Sequence, residues 1–158
     1  MRALELAAQA AAMGEVPVGA VVVQKSTGRI IGEGYNRREA DRSPLAHAEI
    51  MAIDAASRTL GGWRLLDSAL YVTLEPCPMC AGAILHARLE QVVYGTADPK
   101  GGAVDSVEQL FTLPYNWTPE VHAGLLQAEC AQILRDFFRD LRLKKQAEKI
   151  ARNGISML

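Results

Sequence analysis

The chain has 158 residues, 49% of them apolar and 22% charged, which is enough for one core and typical of a single soluble domain spanning 1–158. No apolar run approaches the roughly 20 residues of a membrane span. The first residues carry neither the apolar stretch nor the cleavage pattern of a signal peptide, so a cytoplasmic protein with no membrane association is expected. Three cysteines are too few for a disulfide framework. The net charge of −1 hides an asymmetry. Residues 1–134 hold 10 basic and 15 acidic side chains, whereas residues 135–158 hold 7 basic and 3 acidic ones. A basic end on an acidic body suits a phosphate backbone, and equally suits the solvated face of a terminal helix.

Residues 2–13 are strong helix formers with a buried face expected at Leu4, Ala7, Ala8 and Ala11, and Gly14 ends that helix. Residues 18–23 form a β-branched apolar run that reads as a central strand. A turn at 25–28 returns the chain as a second, antiparallel strand over 29–35. Ser43-Pro44 is a helix-start signal, predicting a helix to about Arg58 with Ile50, Ile53 and Ala56 or Ser57 on one face. Gly61-Gly62 closes it. A third strand over 69–74, a helix opened by Pro76 and running to about His86, and a fourth strand over 91–95 follow.

Strand, helix, strand in that order argues for parallel pairing with crossover helices packed on the sheet. Residues 96–119 are turn-rich, and a connection of that length points to a functional loop. A short strand is expected near 120–123, and a last helix over roughly 124–150, apolar at Leu125, Leu126, Ile133, Leu134, Phe137, Phe138 and Leu141. Its basic end, about 144–158, is expected to project or fray.

His47 and Glu49 fall at the start of one predicted helix, and Cys77 and Cys80 at the start of the next. In a parallel β–α–β arrangement both helix starts lie at one sheet edge, where open α/β sheets place their sites. The partial positive charge of a helix N-terminus favours the thiolate form of cysteine. Cys77 and Cys80, three residues apart, share a helical face and can share an ion; His47 supplies a third ligand. A His/Cys/Cys set suits Zn²⁺, one per chain, and leaves a fourth position open for water, the mark of a catalytic site. Glu49, two residues beyond His47, points away from it on a regular helix. It is therefore assigned as the carboxylate that moves protons over the open position, not as a ligand. Taken singly, His47 also reads as an ordinary helix-start histidine, and Cys77-Pro78-Met79-Cys80 as a redox pair or two buried small side chains. Cys130 reads as core.

The pattern His47-Ala48-Glu49 followed by Pro76-Cys77-Pro78-Met79-Cys80 resembles the signature of zinc nucleobase deaminases. Within the cytidine/deoxycytidylate deaminase superfamily the chain is similar to the bacterial tRNA-specific adenosine deaminases over about residues 3–145. The similarity rests on 14–20 (GEVPVGA), 46–51 (AHAEIM), 74–84 (LEPCPMCAGAI) and 136–139 (DFFR). The resemblance implies a three-layer α/β/α fold around a mixed five-stranded sheet. It implies hydrolytic deamination of the wobble adenosine of an arginine tRNA to inosine, in a homodimer whose anticodon stem-loop site borrows residues from both subunits; no DNA partner is implied. It further implies substrate contacts at Asn36 and Asn116, and at Phe138 and Arg142 on the last helix, with Lys100 adding charge from the 98–102 loop. These residue types suit RNA recognition, since amides read base edges or ribose hydroxyls, an aromatic stacks on an unpaired base, and arginine meets phosphate.

Two departures stand out. Leu45 replaces a small or hydroxylated residue, and Trp117-Thr118 follows Asn116 where His-Arg is usual, removing positive charge near the anticodon loop. A deaminase of free guanine, cytosine or a small nucleoside is the nearest rival, followed by a non-catalytic zinc or RNA-binding module and a thiol redox protein. Met79, Ala83 and Ile84 read as interface or core.

Overall fold

A computed structural model describes residues 1–155; the final part of the basic tail, 156–158, lies outside the described residues. In chain order the elements are α1 (Arg2–Ala12), β1 (Gly19–Gln24), β2 (Ile30–Tyr35), α2 (Ala48–Leu60), β3 (Ser68–Leu74), α3 (Pro78–Ala87), β4 (Gln91–Thr96), a 3₁₀ turn (Leu110–Thr112), β5 (Glu120–Ala123) and α4 (Gln127–Ile155). The strands form one mixed sheet in the order β2-β1-β3-β4-β5. β1 pairs antiparallel with both β2 and β3, while β3, β4 and β5 run parallel. The expected mixed five-stranded α/β/α architecture is what the chain forms.

Strand alternation divides the sheet into two faces. Register places Ala20 beside Val72 and Val22 beside Leu70, with Leu70 and Val72 opposite Val92 and Tyr94. These residues join Ala48, Ala52, Ala56, Ala81 and Ile84 of α2 and α3 in the main core. Leu70, Ile84 and Leu89 are fully buried there, and truncating any one to alanine costs about 2–5 kcal/mol. The alternate residues Val21, Val23, Tyr71 and Val93 face the other layer, where with Leu4, Leu126 and Cys130 they line an apolar cavity of ≈ 230 Å³.

Close backbone approach decides which helix faces are buried. A Cβ on Gly32 or Gly34 of β2 would collide with the backbone of α2 at Ala52 and Ala48, and one on Gly19 with α1 at Ala3. α2 therefore buries Ala48, Glu49, Ala52 and Ala56, with Ile50 and Ile53 only half-buried. Of the face expected on α2, Ala56 is buried and Ile53 packs against the core while staying half-buried; the alanines take the place directly against β2. α1 likewise buries Leu6, Ala7 and Ala10, sharing only Ala7 with the expected face.

Both site helices begin later than their prolines suggest. α2 starts at Ala48; the Ser43 hydroxyl accepts from the Leu45 N–H at 3.2 Å, so the capping signal is spent on a turn. α3 starts at Pro78, with Cys77 as its N-cap. The last helix starts at Gln127, after Leu126 in a left-handed conformation (φ 52). No helix among the described residues is long and apolar enough to cross a membrane.

Candidate metal centre and substrate groove

Two helix N-termini build the centre in the same way. His47 is the N-cap of α2 and Cys77 the N-cap of α3, both in extended conformation (φ −83, ψ 150 and φ −74, ψ 172). An N-cap residue leaves the helical path, so its side chain projects from the helix end instead of lying along a face. Parallel β3 and β4, with α3 as their crossover, and α2 packed against α3 set these two ends side by side. Cys80, on the first turn of α3, is fully buried.

His47 Nδ1 lies 3.7 Å from Cys77 Sγ and 3.6 Å from Cys80 Sγ, and the three donor atoms all fall within 4.8 Å of one another. A tetrahedral zinc with Zn–S near 2.3 Å and Zn–N near 2.05 Å sets an N···S separation of about 3.6 Å. The donor set and its spacing fit Zn²⁺ with one position left for a non-protein ligand. The thiols are divided. Cys77 is pulled down to about 4, first by the hydrogen bond from Cys80 and then by His47, against the effect of burial. Cys80 is pushed up, first by Cys77 and then by burial. A bound divalent ion takes both sulfurs as thiolates and displaces any thiol proton. His47 is raised, first by its bond to Cys77.

Glu49 is 3% exposed, and its Oε2 is buried without a hydrogen-bond partner. It lies outside the three-donor cluster. Burial, followed by the neighbouring Cys77 thiolate, raises its carboxyl to about 7. A buried carboxylate oxygen with nothing to bond is costly unless a ligand meets it. Asn36 is also buried, with its amide engaged at both ends: Nδ2 donates to the Val16 carbonyl at 3.1 Å, and Oδ1 accepts the Ala48 N–H at 3.0 Å. It ties the end of β2 to the first turn of α2, between His47 and Glu49. Sequence reasoning overlooked Glu15, whose buried carboxylate accepts the N–H groups of Glu39 (2.9 Å) and Ala40 (2.8 Å) and so fixes the turn leading to His47. Its only signal was an acid between Gly14 and an apolar strand.

Beyond the centre lies a groove of ≈ 830 Å³ between the 97–100 segment and α4. Lys100, Phe138 and Arg142 line it, together with Arg135 and Arg139. Val16 and Leu74 are also in its wall, the first held by Asn36 and the second three residues before Cys77. Phe138 is 40% exposed, so it is not core.

The profile of the MafB19-like deaminase family matches residues 1–142. The tRNA-specific adenosine deaminase of Bacillus subtilis (strain 168) is 47% identical over 148 residues, covering 93% of this chain and 91% of that protein. The tRNA-specific adenosine deaminase of Haemophilus influenzae is 48% identical over 155 residues, covering 98% and 89%. The chain belongs to the tRNA-specific adenosine deaminase family. A structure from work on A-to-I editing by tRNA:A34 deaminases at the wobble position superposes with TM-score 0.80 at 47% identity, covering 84% of this chain and 95% of that one. The guanine deaminase of Nitrosomonas europaea superposes with TM-score 0.70 at 29% identity, covering 86% and 80%.

Against the tRNA deaminase pattern, one expected substrate residue stands apart. Asn116 is exposed and accepts a hydrogen bond from Arg88 Nη1 at 3.0 Å, at the C-terminal end of α3, the opposite end from Cys77 and Cys80. Within one chain the fold does not bring it to the centre. Trp117 is anchored beside it: its indole N–H donates to the Leu89 carbonyl at 2.7 Å, and Arg88 sits 5.8 Å from its ring centroid. Trp117 is thus a packing residue of the α3–β4 corner, while Thr118 is exposed. Leu45 is 59% exposed, and its carbonyl accepts the His47 N–H at 2.7 Å. Of the α3 residues left between interface and core, Ile84 is core, whereas Met79 and Ala83 stay partly exposed.

Proposed function

We propose that this chain, as one domain, hydrolyses the exocyclic amine of adenosine at the wobble position of a tRNA anticodon, giving inosine and ammonia. The observation that carries the reading is the pairing of a three-donor metal centre, with an unpartnered buried carboxylate beside it, and a groove lined by Lys100, Arg142 and an exposed Phe138. His47, Cys77 and Cys80 hold zinc, which when bound supplies a Lewis-acidic centre that makes water acidic near neutral pH. Glu49 takes the proton released as water adds to C6 of the base. It then passes protons to the ring nitrogen and to the amine as the C6–N bond breaks. Burial raises its carboxyl above the ordinary carboxylate range, which suits a group that both accepts and donates.

Asn36 fixes the helix start that aims His47 and Glu49, and its remaining amide hydrogen and lone pair suit the target nucleoside. Phe138 stacks on an unpaired base and Lys100 and Arg142 neutralise phosphates. The anticodon stem-loop of an arginine tRNA is the partner implied by the sequence resemblance. A homodimer accounts for Asn116, which lies at the end of α3 away from its own chain's metal ligands and is assigned to a neighbouring subunit's substrate. A cytoplasmic location follows from such a substrate.

Incubation with unmodified total tRNA, followed by mapping of inosine, tests the reading. Inosine is expected at position 34, with no ammonia released from free guanine, cytosine or nucleosides. Ammonia from a free base with no inosine in tRNA would transfer the chain to the small-substrate rival.

A further inference from the structure

Glu75 takes no part in the chemistry above, yet it is 2% exposed and sits between the end of β3 and Pro76-Cys77. Its carboxylate is saturated with donors. Oε1 accepts the backbone N–H groups of Val104 (3.2 Å), Asp105 (2.8 Å) and Ser106 (2.9 Å). Oε2 accepts the Asp98 N–H at 2.9 Å and the Ser106 hydroxyl. The flanking backbone adds two bonds: the Glu75 N–H to the Thr96 carbonyl at 2.9 Å, and the Ala103 N–H to the Pro76 carbonyl at 2.9 Å. The loop from Asp98 to Ser106 is therefore wound around one buried anion. Gly102 lies against that anion so closely that a Cβ would fall inside contact distance of all three carboxylate atoms. The Tyr94 hydroxyl, bonded to Asp105, holds the outer side of the loop.

The two ends of this arrangement matter to different parts of the site. Two residues after Glu75 comes the ligand Cys77. On the outer side of the loop, Ala97, Asp98, Pro99 and Lys100 form one wall of the groove. We infer that Glu75 is a positioning residue for the tRNA substrate: its carboxylate fastens the 98–106 loop to the turn bearing Cys77, setting the groove wall with Lys100 at a fixed place relative to the metal ligands. The inference rests on the tRNA reading above for its kinetic consequence, but not for its structural one. Charge-assisted bonds from several backbone N–H groups are strong and geometrically exacting, which suits a tether more than a proton carrier.

Glu75→Gln separates the two oxygens. A glutamine carbonyl can still accept from the 104–106 amides, but its NH₂ then faces the Asp98 N–H, donor against donor. The expected result is faster hydrogen exchange at the amides of 97–102 and a KM for tRNA raised about tenfold. The kcat is expected to stay within about threefold, with one zinc per chain retained. Gly102→Ala, which presses on the same carboxylate without removing it, is expected to give the same split. Lys100→Ala is expected to raise KM in the wild type and to add little in the Glu75→Gln background.

Independent, multiplying effects of Glu75→Gln and Lys100→Ala would overturn the inference. So would a loss of zinc and kcat with KM unchanged, which would make Glu75 a support of the metal turn alone. Unchanged exchange at 97–102 in Glu75→Gln overturns it whatever the substrate. A wild-type protein that forms no inosine in tRNA sinks the functional reading and leaves the exchange test standing.

Discussion

The metal centre and the groove are adjacent, and they are built in contrasting ways. The centre takes two N-cap residues and two first-turn residues from a pair of helices, and its chemistry-bearing atoms are buried or half-buried. Each is placed by local backbone geometry, so an error of one residue in either helix start would scatter them. The groove takes its side chains from a loop and from the middle of α4, and Lys100, Phe138 and Arg142 are all exposed. Buried groups in fixed geometry carry the reaction, whereas exposed cations and an aromatic give affinity that adapts to a strand. Substitutions in the centre should therefore act on kcat in large steps, and substitutions in the groove on KM in small ones.

The largest effect is expected at a ligand. Cys80→Ala removes a fully buried donor and leaves a two-ligand set. Zinc measured by metal analysis should fall well below one per chain, with inosine formation at background; chelation of the wild type should do the same, and added zinc should restore only the wild type. Glu49→Gln comes next. It keeps the three donors, so the zinc content should hold while kcat falls by about 10²–10⁴. A near-normal kcat in this variant would show that another group moves the protons and would dissolve the division of labour within the centre.

The same contrast governs what the amino-acid sequence discloses. His47, Glu49, Cys77 and Cys80 were legible because their spacing is short and because helix N-termini favour them. The strands were legible from β-branched runs, and their parallel pairing from the order of elements. What escaped depends on distant partners. The start of α2 lies four residues beyond Pro44, because Ser43 and Pro44 serve a turn ordered partly by Glu15 from another element. The buried face of α2 is an alanine stripe because Gly32 and Gly34 admit nothing larger, a fact of β2 and not of α2. Glu75 reads as one acid in a motif, and its donors lie 23–31 residues downstream. Lys100, Phe138 and Arg142 were nameable through resemblance, but only the folded loop and helix bring them to one groove. Asn116 is the reverse case: the fold of one chain carries it to the far end of α3.

The groove has a smaller, separable signature. Arg142→Ala should raise KM for tRNA about tenfold with kcat nearly unchanged, and should flatten the plot of log affinity against log salt by about 0.7–0.9 for one lost phosphate contact. Phe138→Ala should weaken binding by about 1–3 kcal/mol through lost stacking while leaving that slope alone. Equal salt slopes in the wild type and Arg142→Ala would place the phosphate backbone somewhere other than this groove.

The smallest effect is expected where charge lies outside both regions. Arg2 binds Glu33 through two hydrogen bonds of 2.8 Å, joining α1 to β2, with both side chains more than a third exposed. The direct bonds from Arg2 hold the Glu33 carboxyl below its ordinary value of 4.5, against a weaker effect of burial. A carboxyl whose pKa is depressed by folding contributes its stability above the unfolded value and loses it as pH falls through the folded one. Glu33→Gln should therefore melt slightly below the wild type at pH 7, and the gap should close as pH falls through the depressed Glu33 value or as salt is raised. The guanidinium stays protonated throughout, so Glu33 alone sets that pH window. Inosine formation, KM and the salt slope should all match the wild type. A shift in any of them would mean that tRNA extends across the α1–β2 surface, and that the groove is only part of what the substrate touches.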